Sequence, residues 1–410
     1  MNKKILIVSQ RYWPENFRIT NIAENLVKMN NSVTVLTGLP MYPEGYVKEG
    51  YKKHANRIEI HNGVNIVRVT EFQRRNNIFS RFLNYYSFPF FANRKIKELS
   101  EDFDVVLINE LSPIMCAYPA IKYAKAHSKK IVMYEMDLWP ESLLAGGIKK
   151  NSFIYRYYKK VASKIYSSCD KIFVSTNDHI DYIKALPNCE NCNIEYLPQY
   201  AEEQFGLIQD SSFEHKEKIN LLFAGNIGKA QSVDTILKAA KELKNDNRFC
   251  FHIVGCGSEY NNLLALKESW ELNNVIFHGN HSIDKMNKFY NESDVMLVTL
   301  ENKAYANMTI PGKVQSYMAA GKPIIGAVNG ATHNFILTHK IGGCCDSENY
   351  IALATIIRNI NPSKFKEYAK NSREAYKNYF CKEIFYKKLN DSLDDFSKKS
   401  DELYLKTNNS

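Results

Sequence analysis

The segment Ile310 to Gly326, Ile-Pro-Gly-Lys-Val-Gln-Ser-Tyr-Met-Ala-Ala-Gly-Lys-Pro-Ile-Ile-Gly, holds the residues best suited to chemistry. Pro311 and Gly312 open a helix, Ala319, Ala320 and Gly321 close it, and Pro323 leads into a buried strand at Ile324 and Ile325. Such a helix points free backbone N–H groups and the positive end of its dipole outward, with Lys313 beside them, which is the make-up of an anion site. A second turn runs from Phe223 to Ser232, where Gly225 and Gly228 flank Asn226 and Gln231 follows. Its glycines let the backbone approach a diphosphate closely, and the next helix aims another amino end at it. Each segment alone also fits an ordinary helix packed on a parallel sheet. Asp137, with Glu135 as a rival, follows the run Ile131 to Tyr134 and is suited to orient or deprotonate a hydroxyl.

These turns need strands to carry them. Apolar, β-rich runs occur at Ile5 to Val8, Val33 to Leu36, Ile66 to Val69, Val105 to Ile108, Ile131 to Tyr134, Lys171 to Val174 and Ile194 to Leu197. Helix-like stretches separate most of them, notably Ile19 to Met29, Tyr118 to Ala126 and Phe153 to Ser167. Strands alternating with helices, several continuously apolar, predict an α/β fold with parallel sheets covered on both faces. Gln204 to Lys218 turns polar and charged and reads as a linker, after which a second series begins: Leu221 to Ala224, His252 to Gly255, Val275 to His278, Val295 to Thr299 and Pro323 to Ala327. The expected organisation is two facing Rossmann-like domains, 1–203 and 204–362, with a cleft between them and a helical segment over 363–410. A chain of 410 residues has the length for two such cores.

The formal net charge of +10 speaks to an anionic partner without choosing one. No apolar run approaches a membrane-spanning length, and the opening Met-Asn-Lys-Lys-Ile-Leu-Ile-Val-Ser is too short in apolar residues for a signal peptide. Of nine cysteines only Cys189 and Cys192 have a spacing of interest, and Cys344 and Cys345 do not complete a zinc ribbon, so reduced thiols and no metal site are expected. Between residues 74 and 97 stand Arg74, Arg75, Arg81, Arg94, Lys95 and Lys97, with seven aromatic residues and no acid. That composition suits an amphipathic segment lying on an anionic membrane, helped by Arg156, Lys159, Lys160 and Lys164; it equally suits docking helices with core aromatics and solvated charges. No nucleic-acid motif is present, and nucleic acid is not expected as a partner.

The order of landmarks, Gly225 to Gly228, then Ile253-Val254-Gly255-Cys256-Gly257, then Val275 to Gly279, then Ser293-Asp294-Val295, then the Pro311 helix, resembles the donor domain of family 4 glycosyltransferases. The strings Pro14-Glu-Asn-Phe-Arg18, Leu39-Pro-Met-Tyr-Pro-Glu-Gly-Tyr46 and Met136-Asp-Leu-Trp-Pro-Glu-Ser142 resemble the branch of that family found in O-antigen, capsule and colanic-acid gene clusters. The resemblance implies a GT-B fold whose terminal helix crosses back to the first domain. It also implies a nucleotide-diphosphate sugar as donor, retention of anomeric configuration, no cofactor and no metal requirement. By the same resemblance the loop after Phe277, with His278, holds the base, Glu301 to Thr309 lies near the sugar and pyrophosphate, Ile310 joins the donor-binding residues, and Asn16, Tyr42, Pro43, Trp139 and Glu141 form an acceptor rim. Trp139 and Pro140 alternatively cap a helix.

The chain departs from the family where many members carry an acidic pair, here Met308 and Ser316, and a basic pair, here Asn226 and Ser232. The diphosphate charge then falls to Lys313 first and Arg18 second, with Lys229 a third candidate that also reads as a surface lysine. The function expected is sugar transfer to a lipid-linked or growing oligosaccharide, in the cytoplasm at the inner face of the cell membrane. A nucleotide-sugar 2-epimerase and a non-catalytic scaffold that binds sugar or membrane are the alternatives.

Overall fold

Runs such as Ile5 to Val8, uninterrupted in Ile, Leu and Val, are stable as strands only when both faces of their sheet are covered, and these side chains are fully buried. The computed structural model describes residues 2–42, 45–73, 78–99, 101–208 and 218–408. Pro43, Arg74, Arg75 and most of the expected linker lie outside the described residues, as do the side chains of Phe79 and Arg81. The chain divides into two compact units, one of Met1–Leu197 with Lys387–Ser410 and one of Pro198–Tyr386. The sequence expectation set these divisions at 203/204 and 362/363.

In the first unit the strands are β1 (Lys4–Val8), β2 (Ser32–Thr37), β3 (Ile58–His61), β4 (Val64–Arg68), β5 (Val105–Glu110), β6 (Lys130–Glu135), β7 (Lys171–Val174) and β8 (Ile194–Tyr196). They form one sheet in the order β3-β4-β2-β1-β5-β6-β7-β8, parallel except for β3 on β4. Helices α1 (Arg18–Lys28), α2 (Ile78–Lys95), α3 (Tyr118–His127), α4 (Phe153–Tyr166) and α5 (Asp178–Lys184) belong to this unit. The strand β3 was not anticipated. It exists because Asn62 and Gly63, both at positive φ, make a two-residue hairpin turn into β4.

The second unit carries β9 (Ile219–Ala224), β10 (Phe249–Val254), β11 (Val275–Gly279), β12 (Val295–Thr299), β13 (Ile324–Ala327) and β14 (Gly342–Cys345). Their order is β11-β10-β9-β12-β13-β14 and every pair is parallel. From β9 the chain first builds outward through β10 and β11, then returns to β9's other side with β12. That reversal makes a crevice at the carboxyl ends of β9 and β12, where open α/β sheets bind ligands. The helices are α6 (Val233–Glu242), α7 (Tyr260–Ser269), α8 (Met286–Glu292), α9 (Gly312–Ala319), α10 (Gly330–Thr338), α11 (Tyr350–Arg358) and α12 (Phe365–Ala375). One sheet face packs Leu221, Phe223, Phe251 and Leu297 with α6 and α11; the other packs Leu222, Met296 and Val298 with α9. The unforeseen β14, Gly-Gly-Cys-Cys, has no intrinsic strand preference and is a strand through its pairing with β13.

The terminal helix α13 (Lys382–Asn408) follows a break at Cys381. From Lys387 onward it belongs to the first unit: Lys3 donates to Asn390 at 3.2 Å and pairs with Asp394, Lys388 pairs with Glu195 at 3.2 Å, and Leu389 and Leu393 are buried. Replacing Leu393 by Ala is expected to destabilise the first unit by about 2–5 kcal/mol in urea unfolding.

Candidate functional site

The candidate anion site on the second unit is formed by three loops at the carboxyl edge of β10, β9 and β12, which are neighbours in the sheet. Tyr317, on the buried face of α9, holds both backbone groups of Ala224: its hydroxyl accepts from Ala224 N at 2.9 Å and donates to Ala224 O at 3.2 Å. That fixes α9 against the last residue of β9. Gly225 then turns away at φ 142°, and a Cβ there would stand 3.2 Å from Cε and Nζ of Lys313. Gly255, at the end of β10, lies so close that a Cβ would be 1.9 Å from the Gly225 carbonyl oxygen, which only glycine allows.

The amino end of α9 is open. Pro311 has an extended backbone, no side chain caps the helix, and the first helical N–H bonded locally is that of Val314, to Pro311 O at 2.9 Å. The N–H groups of Gly312 and Lys313 have no partner within a helix by geometry, and Gly312 is exposed. Lys313 folds back beneath them. Its Nζ donates to Gln231 Oε1 at 2.6 Å and lies 3.8 Å above the centre of the Phe223 ring. The residue keeps some solvent contact, yet burial of the ammonium lowers its pKa to about 7. Among the described residues it has no carboxylate partner. The arrangement can meet a polyanion with two N–H donors, a helix dipole and one cation.

The fold thus brings Gly225, Gln231, Pro311, Gly312 and Lys313 together, with Asn226 exposed and Gly228 half-buried in the same loop. Thr309 and Ile310 lead into α9, but the Thr309 hydroxyl is spent on Tyr305 O at 3.1 Å and Ile310 O accepts from Gln315. His278 shares a 2.9 Å hydrogen bond with His252 and packs on Phe289, so its ring is committed within the sheet face. Met308 and Ser316, standing where family members often have acids, are both half-buried. Lys229 is exposed, and Arg18 begins α1 in the first unit.

In the first unit the acids converge at the carboxyl ends of β5 and β6. Glu110 closes β5, is wholly buried, and has a pKa raised well above the carboxylate range by desolvation, then by Asp137 and Glu135. Glu135 is also sealed, but its Oε2 meets His179 Nδ1 at 2.8 Å, and burial of the imidazole is outweighed by this carboxylate, so the His179 pKa is raised. Asp137 remains half-buried and accepts from Ser112 N at 2.8 Å, while its own N–H donates to Glu110. Of the two rivals, Asp137 is therefore the one left with solvent contact.

Two expected rim residues are interior instead. Trp139 is 1% exposed, its Nε1 donating to Ser112 Oγ at 3.1 Å and its ring packed edge-on against Tyr85 and Tyr158, so no face is offered to a sugar. Glu141 is 3% exposed and accepts from both Tyr155 and Tyr182 hydroxyls at 2.7 Å, which makes it a brace between α4 and α5. Asn16 and Tyr42 are exposed, and Tyr42 leans on Phe17. Their loops are tied by Glu15, missed in the sequence, whose Oε1 accepts from the backbone N–H groups of Met41 and Tyr42. His179 and Glu110 were also missed. Glu110 was detectable as an acid ending an apolar strand; His179 was not, because only folding brings α5 to β6.

Comparison with known proteins agrees with this fold. Residues 205–378 match the family model of glycosyl transferases group 1, and residues 16–199 match that of glycosyltransferase family 4. The chain is 29% identical over 298 residues to a probable glycosyltransferase WbjE of Pseudomonas aeruginosa, covering 70% of this chain and 73% of that protein. It is 23% identical over 383 residues to the putative colanic acid biosynthesis glycosyl transferase WcaI of Escherichia coli, covering 87% and 91%. Among solved structures, HepE of Anabaena in complex with UDP-glucose superposes with a TM-score of 0.68 at 13% identity, over 96% of this chain and 100% of that one. With both units matched, and the two-sheet architecture in agreement, the chain belongs to the family 4 glycosyltransferases of GT-B fold, in the branch found in polysaccharide biosynthesis clusters.

Proposed function

We propose that the protein transfers a glycosyl unit from a nucleotide-diphosphate sugar to a hydroxyl of a lipid-linked or growing oligosaccharide, with retention of configuration and without a metal ion. The observation that carries this reading is the uncapped amino end of α9 with the Lys313 ammonium beneath it. As the glycosidic bond loosens, negative charge grows on the departing diphosphate. The N–H groups of Gly312 and Lys313 are already oriented toward that charge and need little reorganisation to stabilise it. The UDP-glucose named for the Anabaena relative supports a nucleotide sugar as the donor class. In the first unit Asp137 is assigned to orient or deprotonate the acceptor hydroxyl, because it alone of the three clustered acids keeps solvent contact.

A lipid-borne acceptor would place the protein against the inner face of the membrane. Among the described residues no helix is long and apolar enough to cross one. Contact from one side is supported by apolar groups left in water on two basic helices: Phe82 and Phe90 on α2, and Phe153 (87% exposed), Ile154 and Tyr157 on α4. Phe88, by contrast, is core. Rings beside Arg94, Arg156, Lys159 and Lys160 fit the headgroup region.

Lys313→Ala is expected to lower turnover of labelled donor by about 100-fold, as for loss of one transition-state donor. Equal turnover in wild type and variant would remove the diphosphate assignment, and rapid epimer formation with donor alone would favour the epimerase. A second test uses stability. The native Lys313 releases its proton near pH 7, whereas an unfolded lysine holds it to about 10, so raising pH through that window removes a penalty on the folded state. The stability of wild type relative to Lys313→Met should therefore rise between about pH 7 and 10 in denaturant titrations. Third, vesicles containing anionic phospholipid should bind the protein in a salt-sensitive manner, and Phe153→Asp with Ile154→Asp should weaken that binding about tenfold or more in sedimentation assays.

A further inference from the structure

A separate cavity of about 290 Å³ lies within the first unit, at the carboxyl end of β4 and against the end of α2. Its lining carries four cations, Arg57, Arg68, Arg94 and Lys95, beside His54, with Glu98 the one lining acid. Two of these cations are already engaged. Arg68 donates to Trp13 O at 2.7 Å and Asn56 O at 3.1 Å and pairs with Glu59 at 2.7 Å, while Lys95 pairs with Glu98 at 2.8 Å.

Arg57 is different. Its Nε and Nη1 are shut off from solvent and meet no acceptor among the described residues, nor is it in an ion pair there. Burial and the neighbouring Arg68 both act against its charge, lowering its pKa. Guanidinium N–H groups withheld from solvent without an acceptor are costly even in a half-buried residue, and a bidentate oxyanion is the group that best relieves them. Arg94 adds an exposed guanidinium stacked 4.4 Å from the Phe90 ring.

Apolar groups stand beside these cations. Ile58 lines the cavity and is 70% exposed, Ile60, two residues along the edge strand β3, is 73% exposed, and the half-exposed rings of Phe90 and Phe72 pack against Phe91 of the lining. An edge strand presenting isoleucine to water is a liability in a protein that meets water alone. Beside a cation cluster it describes the two ends of one amphiphile.

We propose that this cavity binds the phosphate or diphosphate group of a lipid, with Arg57 and Arg94 taking the anion while Ile58, Ile60 and Phe90 meet the chain. The proposal extends the lipid contact read above and does not depend on the donor site of the second unit. It is tested on the full-length protein by calorimetric titration with farnesyl diphosphate and inorganic pyrophosphate, and by sedimentation with phosphatidylcholine vesicles with or without phosphatidylglycerol. The double variant Arg57→Gln, Arg94→Gln is compared with wild type. At least roughly tenfold weaker binding of farnesyl diphosphate by the variant is expected, from loss of charge-assisted hydrogen bonds. Loss confined to farnesyl diphosphate assigns the pocket to an individual lipid diphosphate, loss confined to phosphatidylglycerol vesicles assigns it to bilayer headgroups, and either supports the site. Equal weakening of pyrophosphate and farnesyl diphosphate, with no difference in their wild-type affinities, overturns the lipid part. Unchanged binding of all probes overturns the whole. Nucleoside diphosphate binding should be the same in both proteins, so a failed donor reading would show separately. Should the double variant not fold, Arg94→Gln alone, on the exposed side of α2, makes the same comparison.

Discussion

A lysine ammonium held against an aromatic ring, bonded to one amide oxygen and to no carboxylate among the described residues, is poorly stabilised by the protein alone. Lys313 is in that position because Tyr317 clamps α9 to the end of β9, which brings the Lys313 stem over Phe223 and its Nζ to Gln231. The same clamp sets the uncapped N–H groups of Gly312 and Lys313 beside the Gly225 turn. What the fold lacks at this point is negative charge, which the proposed diphosphate would supply. The electrostatic demand therefore comes from the architecture of one sheet edge and not from a single side chain.

The second unit's site was legible because its requirements are local. A turn that admits a diphosphate needs glycine near positions 225 and 228, and a helix that faces one needs an uncapped start at Pro311, and both signatures occupy a few consecutive residues. The absence of the acidic and basic pairs at Met308, Ser316, Asn226 and Ser232 was equally visible, and the buried position of Lys313 shows how one cation is set deep where others are lacking. The strands followed from continuous apolar runs. The hairpin of β3 and β4 was written in Asn62-Gly63, but the alternation Ile58-Glu59-Ile60-His61, apolar toward water, is the inverse of an ordinary edge strand.

The first unit resisted reading because its polar residues answer to partners far along the chain. Glu135 is fixed by His179, Glu141 by Tyr155 and Tyr182, and Trp139 by Ser112 and Tyr166. A motif of aromatic, proline and acid residues looked like a binding rim; Trp139 and Glu141 are instead internal braces, while Asn16 and Tyr42 stay exposed. The surface that remains is basic and apolar together, on α2, α4 and β3, which suits the lipid-borne acceptor proposed above and gives the Arg57 cavity its setting.

The central claim is that a nucleoside diphosphate is held by the start of α9. Diffraction from crystals of the protein grown with a nucleoside diphosphate tests it most directly. The account predicts phosphate oxygens within hydrogen-bond reach of the N–H groups of Gly312 and Lys313, with the Lys313 Nζ drawn from Gln231 toward the anion. Phosphate density bound elsewhere on the second unit, with the amino end of α9 unliganded, would contradict it.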